Sequence, residues 1–292
     1  MTIIVPFSPG ASSDGIARMV GNYLSDNMKL TIVVDNRVGG GGAVGLMAVS
    51  RAGADGATIG IGATGAVVIN PHVSGAPAFD PLKQLTTLAK LVDIPLVLVA
   101  SPSSGLRTIN DVVAKSKETS GGLSFGSTGV NSSQHLSIEV LKQMTGANLT
   151  HVPYRGSAPA ATDLIGGQLP LACVDLTSVV EQIKAGNLVP IGVTAAKRYS
   201  IAPDIPTFAE QGLKGFDVPA WLGMFGPAGL SGDVVERYSE ALGKAMSDAD
   251  VAARAERLAC QPAFLGPKEF ASFLKEQSEK MKPLVKLVEG TK

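Results

Sequence analysis

Thr2-Ile3-Ile4-Val5-Pro6-Phe7-Ser8-Pro9-Gly10-Ala11-Ser12-Ser13-Asp14 opens the chain with a β-branched apolar run, a proline-glycine break and three residues with capping oxygens. The run is too short for a helix of its own and reads as a buried strand. Ser12, Ser13 and Asp14 can accept hydrogen bonds from free amides, so a helix is expected from there to about Met28. Strand, tight polar loop and helix together make one βα unit of an open sheet. The pattern recurs, with strands expected near 30–35, 57–62, 95–100, 122–126, 149–152, 169–174 and 188–194 and helices between them. An α/β fold with mainly parallel sheets follows.

From Ser231 onward the pattern changes to almost continuous helix, with elements expected at Asp233–Ser247, Asp250–Leu258 and Lys268–Val288. Two breaker regions divide what precedes. Ser101-Pro102-Ser103-Ser104-Gly105 follows the apolar run Leu96–Ala100, and 202–219 precedes Ala220-Trp221-Leu222-Gly223-Met224-Phe225. A chain that leaves one lobe near residue 100 and returns near 220 has lobe one at 1–100 plus 219–292 and lobe two at 101–218. Its final helices then pack back on lobe one, and the two crossings form a hinge. No period of 20 to 50 residues repeats, which rules out a solenoid.

Composition narrows the function classes. The 292 residues are 45% hydrophobic and 17% charged, enough apolar content for one large core or two ordinary ones. Lysine plus arginine (25) balances aspartate plus glutamate (25), so no net field draws the chain to nucleic acid or an anionic membrane. The longest strongly apolar stretch, around Ile94–Ala100, is far shorter than the roughly 20 residues that span a bilayer. No basic n-region with an apolar h-region is present at the start, which fits a removed export signal and a cytoplasmic chain alike, so the compartment must come from elsewhere. Cys173 and Cys260 fall in different parts of the expected fold and have no metal-ligand spacing. Both are expected to be buried and unpaired, since a bridge between moving lobes would lock the hinge.

Three motifs look enzymatic and each lacks a part. Gly40, Gly42 and Gly45 give G-x-G-x-x-G between a strand and a helix, but no acidic residue for a ribose occurs between Asp55 and Asp80. The glycines are better read as a tight turn with close helix packing. Gly122-Leu123-Ser124-Phe125-Gly126 matches G-x-S-x-G, yet the pattern is itself the strand, whereas a nucleophile elbow needs its serine on the turn. No aspartate lies between Ser124 and His151 to complete a triad. The three histidines, His72, His135 and His151, are scattered without a second ligand at helical spacing, so no metal site is expected. His135 reads as a packing or hydrogen-bonding residue at a helix start.

Four loops remain, each rich in small residues and set before a helix: Ser8–Asp14, Ala63–Ala66, Ser127–Ser133 and Tyr154–Ser157. In open α/β sheets such loops meet at the ligand crevice, where helix N-termini attract anions. Arg155 is their one cation, so neutral donors are expected to dominate.

At these same loops the chain resembles the substrate-binding receptors of tripartite tricarboxylate transporters, the Bug family. The matching segments are Ile4-Val5-Pro6-Phe7 with Pro9-Gly10 and Asp14; Val34-Asp35-Asn36-Arg37 with the glycine run; Ala54-Asp55-Gly56; and Asn70-Pro71-His72. Gly126-Ser127, Ser132-Ser133, His135-Leu136 and His151–Ala160 follow, then Asp163-Leu164, Gly166-Gly167-Gln168, Asp204-Ile205-Pro206-Thr207 and Pro227-Ala228-Gly229. The resemblance implies a periplasmic receptor with a two-lobed Venus-flytrap fold and two hinge crossings, its export signal removed; with breaker clusters flanking both crossings, a two-lobed monomer is expected. It also implies no catalysis, no cofactor, a small carboxylate as ligand and a membrane permease as partner. A sensor of the same ligands is the alternative role, with a nucleotide-dependent oxidoreductase or serine hydrolase behind it. Carried over residue by residue, Phe7, Ser8, Ala11 and Ser12 hold carboxylate from one lobe, and Ser127, Thr128 and Ser132 from the other, partly through water. Thr64, Tyr154, Arg155 and Asp175 join them around the cleft. Ala11, Val38 and Leu176 depart from the family pattern, which expects glycine, proline and asparagine there.

Overall fold

The computed structural model describes residues 1–76 and 78–289. The chain runs through β1 (Thr2–Val5), α1 (Ser12–Met28), β2 (Val33–Asn36), α2 (Ala43–Ser50), β3 (Thr58–Ala63), α3 (Pro81–Gln84), β4 (Leu85–Ile94) and β5 (Leu96–Ala100). It continues through α4 (Ile109–Glu118), β6 (Leu123–Ser127), α5 (Ser133–Thr145), β7 (Leu149–Pro153), α6 (Ser157–Ile165), β8 (Leu171–Asp175), α7 (Val180–Lys184) and β9 (Val189–Val193). The last part is β10 (Ala220–Pro227), α8 (Gly232–Ser247), α9 (Ala249–Arg257), β11 (Gln261–Leu265) and α10 (Pro267–Glu289). Among the described residues no helix is long and apolar enough to cross a membrane.

Two sheets result, a six-stranded one in the order β11-β4-β10-β3-β1-β2 and a five-stranded one in the order β7-β6-β8-β5-β9. The expectation of mainly parallel sheets needs correction, because both are mixed. β2, β1 and β3 run parallel, as do β7, β6 and β8, in the βα pattern read from the sequence. β10 and β4 pair antiparallel beyond β3, and β5 pairs antiparallel with β8 and β9. β5 and β10 follow the passages of the chain between sheets and so enter each sheet without a helical crossover to set a parallel direction; β11 adds a further antiparallel pairing at the edge, with β4.

The changes of sheet fall at Pro95, between β4 and β5, and just before β10, after Pro219. The first lies earlier than the crossing expected near residue 100, because Leu96–Ala100 hydrogen-bonds along its full length to β8. The two connections are tied together: Val218 N donates to Thr194 O at 2.9 Å, and Thr194 N donates to Leu96 O at 3.2 Å.

Apolar clusters fill both faces of both sheets. α1, α8 and α9 cover one face of the six-stranded sheet, where Ile16, Val20, Leu24 and Leu242 pack on Ile3, Val5 and Leu91. α6 and the segment around Tyr199 cover one face of the other sheet. A third cluster is shared by the two, running from Ile4 and Phe225 through Trp221 and Phe270 to Leu136, Leu141 and Phe125. α10 bridges them: it packs on β4 and also on α5, whereas the sequence placed it on the first lobe alone.

The bridge is seated on an aromatic contact. The Phe270 ring is fully buried, meets Trp221 edge-on at 5.5 Å and Phe225 at 5.3 Å, and lies over Gly223, where any Cβ would stand 2.3 Å from its Cζ. Deleting a ring of this size from a site that cannot collapse costs both transfer energy and a cavity. Phe270→Ala is expected to lower the unfolding free energy by about 3–5 kcal/mol, measured by urea unfolding followed by far-ultraviolet circular dichroism.

Candidate functional site

Three helices begin at the gap between the two sheets. α1 starts at Ser12 with Ala11 as an extended N-cap (φ −93°, ψ 171°) that offers no side-chain bond. α5 starts after Ser132, whose hydroxyl accepts from His135 N at 3.2 Å. α6 starts at Ser157 after Gly156, again without a side-chain cap. The sequence reading made Ser12, Ser13 and Asp14 caps of the first helix; they form its first turn instead.

Their oxygens are drawn elsewhere. Asp14 accepts from Arg18 Nε and Nη2, each at 3.0 Å, from Asn36 Nδ2 at 3.1 Å and from Gly10 N at 3.4 Å. Burial works to raise its pKa, but these donors outweigh burial and hold the carboxyl below the usual range. Ser12 Oγ reaches across the gap and donates to Asp175 Oδ2.

These helix ends line an inner pocket between the two sheets. From the six-stranded side come Phe7, Ala11, Ser12, Ser13, Gly41, Thr64, Gly65 and Trp221; from the other come Thr128, Ser132, Ser133, Gln134, Ser157 and Asp175. Ala63, Ile94, Ala220 and Leu222 add an apolar floor. No lysine, arginine or histidine is among the described lining residues. Two buried donors in this wall have no partner, the Ser13 hydroxyl and the Trp221 indole N–H.

Of the residues expected from sequence, Phe7, Ala11, Ser12, Thr64, Thr128, Ser132 and Asp175 line this pocket. Ser8, Ser127, Tyr154 and Arg155 do not. Ser8 spends its amide and its hydroxyl on Arg155 O, at 3.3 and 2.9 Å, in a bond across the gap. Ser127 is fully buried, hydrogen-bonded to His151 Nε2 at 2.6 Å and to Gly129 N at 3.2 Å, and so holds the loop rather than the pocket. The His151 ring stacks on His135 at 4.0 Å and on Phe125 at 5.1 Å. Burial, then the neighbouring His135, pushes its pKa down to about 3, so it stays neutral behind the loop.

The Tyr154 hydroxyl donates to Asp163 at 2.6 Å; burial and this carboxylate raise its pKa to about 12. Tyr154 and Arg155 line a second, outer pocket with Gly39–Gly42, Gly129, Val130 and Pro153, which shares Phe7, Gly41 and Thr128 with the inner one. Ser13, Ser133 and Ser157 sit in loops that the sequence marked, but they were not chosen there. Gln134 and Trp221 were missed: neither residue type signals an anion site until the fold places it.

A family model described as the tripartite tricarboxylate transporter family receptor matches residues 16–289. The chain belongs to this receptor family. It is 35% identical over 286 residues to a UPF0065 protein of the tcbD-tcbE intergenic region in Pseudomonas sp. (strain P51), covering 98% of this chain and 85% of the relative. Among solved structures, the periplasmic binding protein BugD superposes with a TM-score of 0.93 at 29% identity, covering 99% of this chain and 97% of that one. Rpa4515 of R. palustris, solved with adipate, gives 0.92 at 27% identity, covering 99% and 97%. The receptor thus has the periplasmic-binding-protein fold, with its pocket where the two sheets face each other.

The glycine run takes on a role in that fold. A Cβ at Gly41 would stand 2.6 Å from Val130 O, and one at Gly65 would stand 2.9 Å from Ser132 Cα and 3.0 Å from Asn131 O. Both glycines let backbone from one side lie directly on backbone from the other. Gly65→Ala is expected to hold the two sides apart. Small-angle scattering should show a larger radius than wild type, with the far-ultraviolet circular dichroism unchanged.

Proposed function

We propose that this receptor captures a small organic carboxylate in the inner pocket and delivers it to a membrane permease, acting in the periplasm as a monomer and without catalysis. The single observation that carries the reading is the pair of unpartnered buried donors, Ser13 Oγ and Trp221 Nε1, in a wall built on three helix N-termini. Buried donors of this kind cost about 1–3 kcal/mol each when left unmade, and an acceptor-rich ligand restores them. Helix N-termini add a positive potential with no side-chain cation. The adipate held by Rpa4515 is a ligand of the chemistry that such a wall suits.

The two sheets act as lobes, residues 1–95 with 220–289 and residues 96–219, hinged at Pro95 and Pro219. Closure brings Ser12 onto Asp175 and Ser8 onto Arg155 O. The hydrolase reading loses support because Ser124 lies within β6 and the Ser127–His151 bond is buried behind the loop.

The lone tryptophan reports on binding directly. Titration with succinate, glutarate, adipate and benzoate should change Trp221 fluorescence for at least one acid, whereas NAD should leave it unchanged. For the acid that binds, Ser13→Ala is expected to weaken affinity by about 1–3 kcal/mol, and Arg155→Ala by less than Ser13→Ala does. Collapse of binding in Arg155→Ala alone would place recognition on one ion pair in the outer pocket.

A further inference from the structure

Asp175 places a carboxyl group in the wall of a pocket proposed to hold carboxylates. It is 6% exposed at the end of β8 and faces the inner pocket. Its Oδ1 accepts from Gln134 Nε2 at 2.7 Å and its Oδ2 from Ser12 Oγ. Gln134 is oriented by Thr128 Oγ1, which donates to Gln134 Oε1 at 2.8 Å.

Among the described lining residues there are donors for Asp175 but no counter-charge. On α1 the next charged residue, Asp14, is itself anionic and is paired with Arg18. The first turn of α5 offers Gln134, and its His135 is turned to the stack with His151. α6 offers Ser157, whose hydroxyl accepts from Asp175 N at 3.0 Å. The buried thiols of Cys173 and Cys260 also feel Asp175: the pKa of each is raised first by burial and then by the charge of this carboxyl group. Burial already raises the pKa of Asp175, against the pull of its hydrogen bonds from Ser12, Ser157 and Gln134. A ligand carboxylate placed beside it in the pocket works in the same direction, because neighbouring like charges disfavour ionisation.

We propose that Asp175 is a proton-binding member of the site, so that a carboxylate with no donor of its own is captured together with one proton shared between it and Asp175. The inference rests on the carboxylate reading above and adds the charge state of the complex. The proton comes from solvent. It makes one carboxylate of the pair a hydrogen-bond donor to the other, and the net charge brought into the pocket falls by one. Ligand classes sort accordingly: acids that carry an ammonium or hydroxyl group against Asp175 bind without proton uptake, and plain dicarboxylates bind with it. The sign follows from linkage. Proton uptake on binding means that affinity rises as pH falls, by about tenfold per pH unit at full uptake.

Calorimetric titration of the wild-type protein with adipate decides it, run between about pH 6.5 and 8, well above the ordinary carboxyl range. Buffers of different ionisation enthalpy give the number of protons taken up. We expect close to one, with affinity falling across the window as pH rises, and we expect Asp175→Asn to abolish both effects. Adipate binding with no proton exchange and a flat pH profile would overturn the proposal and leave the receptor reading intact. Uptake that persists in Asp175→Asn would overturn the assignment to this residue. If no heat appears with adipate, succinate, glutarate or benzoate at any pH, the carboxylate reading falls and this inference falls with it.

Discussion

Backbone amides at the start of a helix must find acceptors, and in this protein three helices start against one enclosed volume. The requirement follows from the topology. Each βα unit delivers its helix N-terminus to the carboxyl edge of its sheet, and the passages of the chain at Pro95 and Pro219 turn those two edges toward each other. Ser12–Ser13, Ser132–Gln134 and Ser157 are then brought together from distant parts of the sequence. Small side chains suit these positions because they leave the space open, and the Ser13 hydroxyl adds a donor that stays without a partner. The positive ends of the helix dipoles take the place of a basic side chain.

Closing such a volume needs backbone to meet backbone. Gly41 and Gly65 meet the 130–132 segment at distances that leave no room for a Cβ. The Ser8 bond to Arg155 O and the Ser12 bond to Asp175 complete the seam. Behind the seam, the neutral His151 holds Ser127 and, through it, Gly129, so the loop that presents Thr128 and Ser132 is braced from the side away from the inner pocket. α10 ties the same two halves on their outer side through Phe270 and the contact with α5.

Much of this was legible before any coordinates. Val- and Ile-rich runs between breakers mark eight of the strands, because a buried strand is short, β-branched and bounded by turns. β4 escaped notice for a physical reason. Thr86, Thr87, Lys90 and Asp93 interrupt its apolar run, and only the fold shows Lys90 paired with Asp93 at 2.7 Å and set over the Phe273 ring. β11 is hidden by Pro262, which an edge strand tolerates. The four loops of the site could be read from their composition, yet not which of their oxygens stay free. Ser8, Ser127 and Tyr154 look like ligand contacts in sequence; tertiary hydrogen bonds spend each of them elsewhere. Of the two residues whose donors stay without a partner, Ser13 reads in sequence only as a helix cap and Trp221 carries no mark at all.

Recognition by neutral donors at converging helix ends is the central claim. A crystal structure of the protein grown with adipate tests it most directly. The account predicts one carboxylate of the ligand in the inner pocket, within hydrogen-bond distance of Ser13 Oγ and of an amide in the first turn of α1 or α5, with no basic side chain in contact. A ligand seated instead in the outer pocket, with its carboxylate on the Arg155 guanidinium and the inner donors still unpartnered, would contradict it.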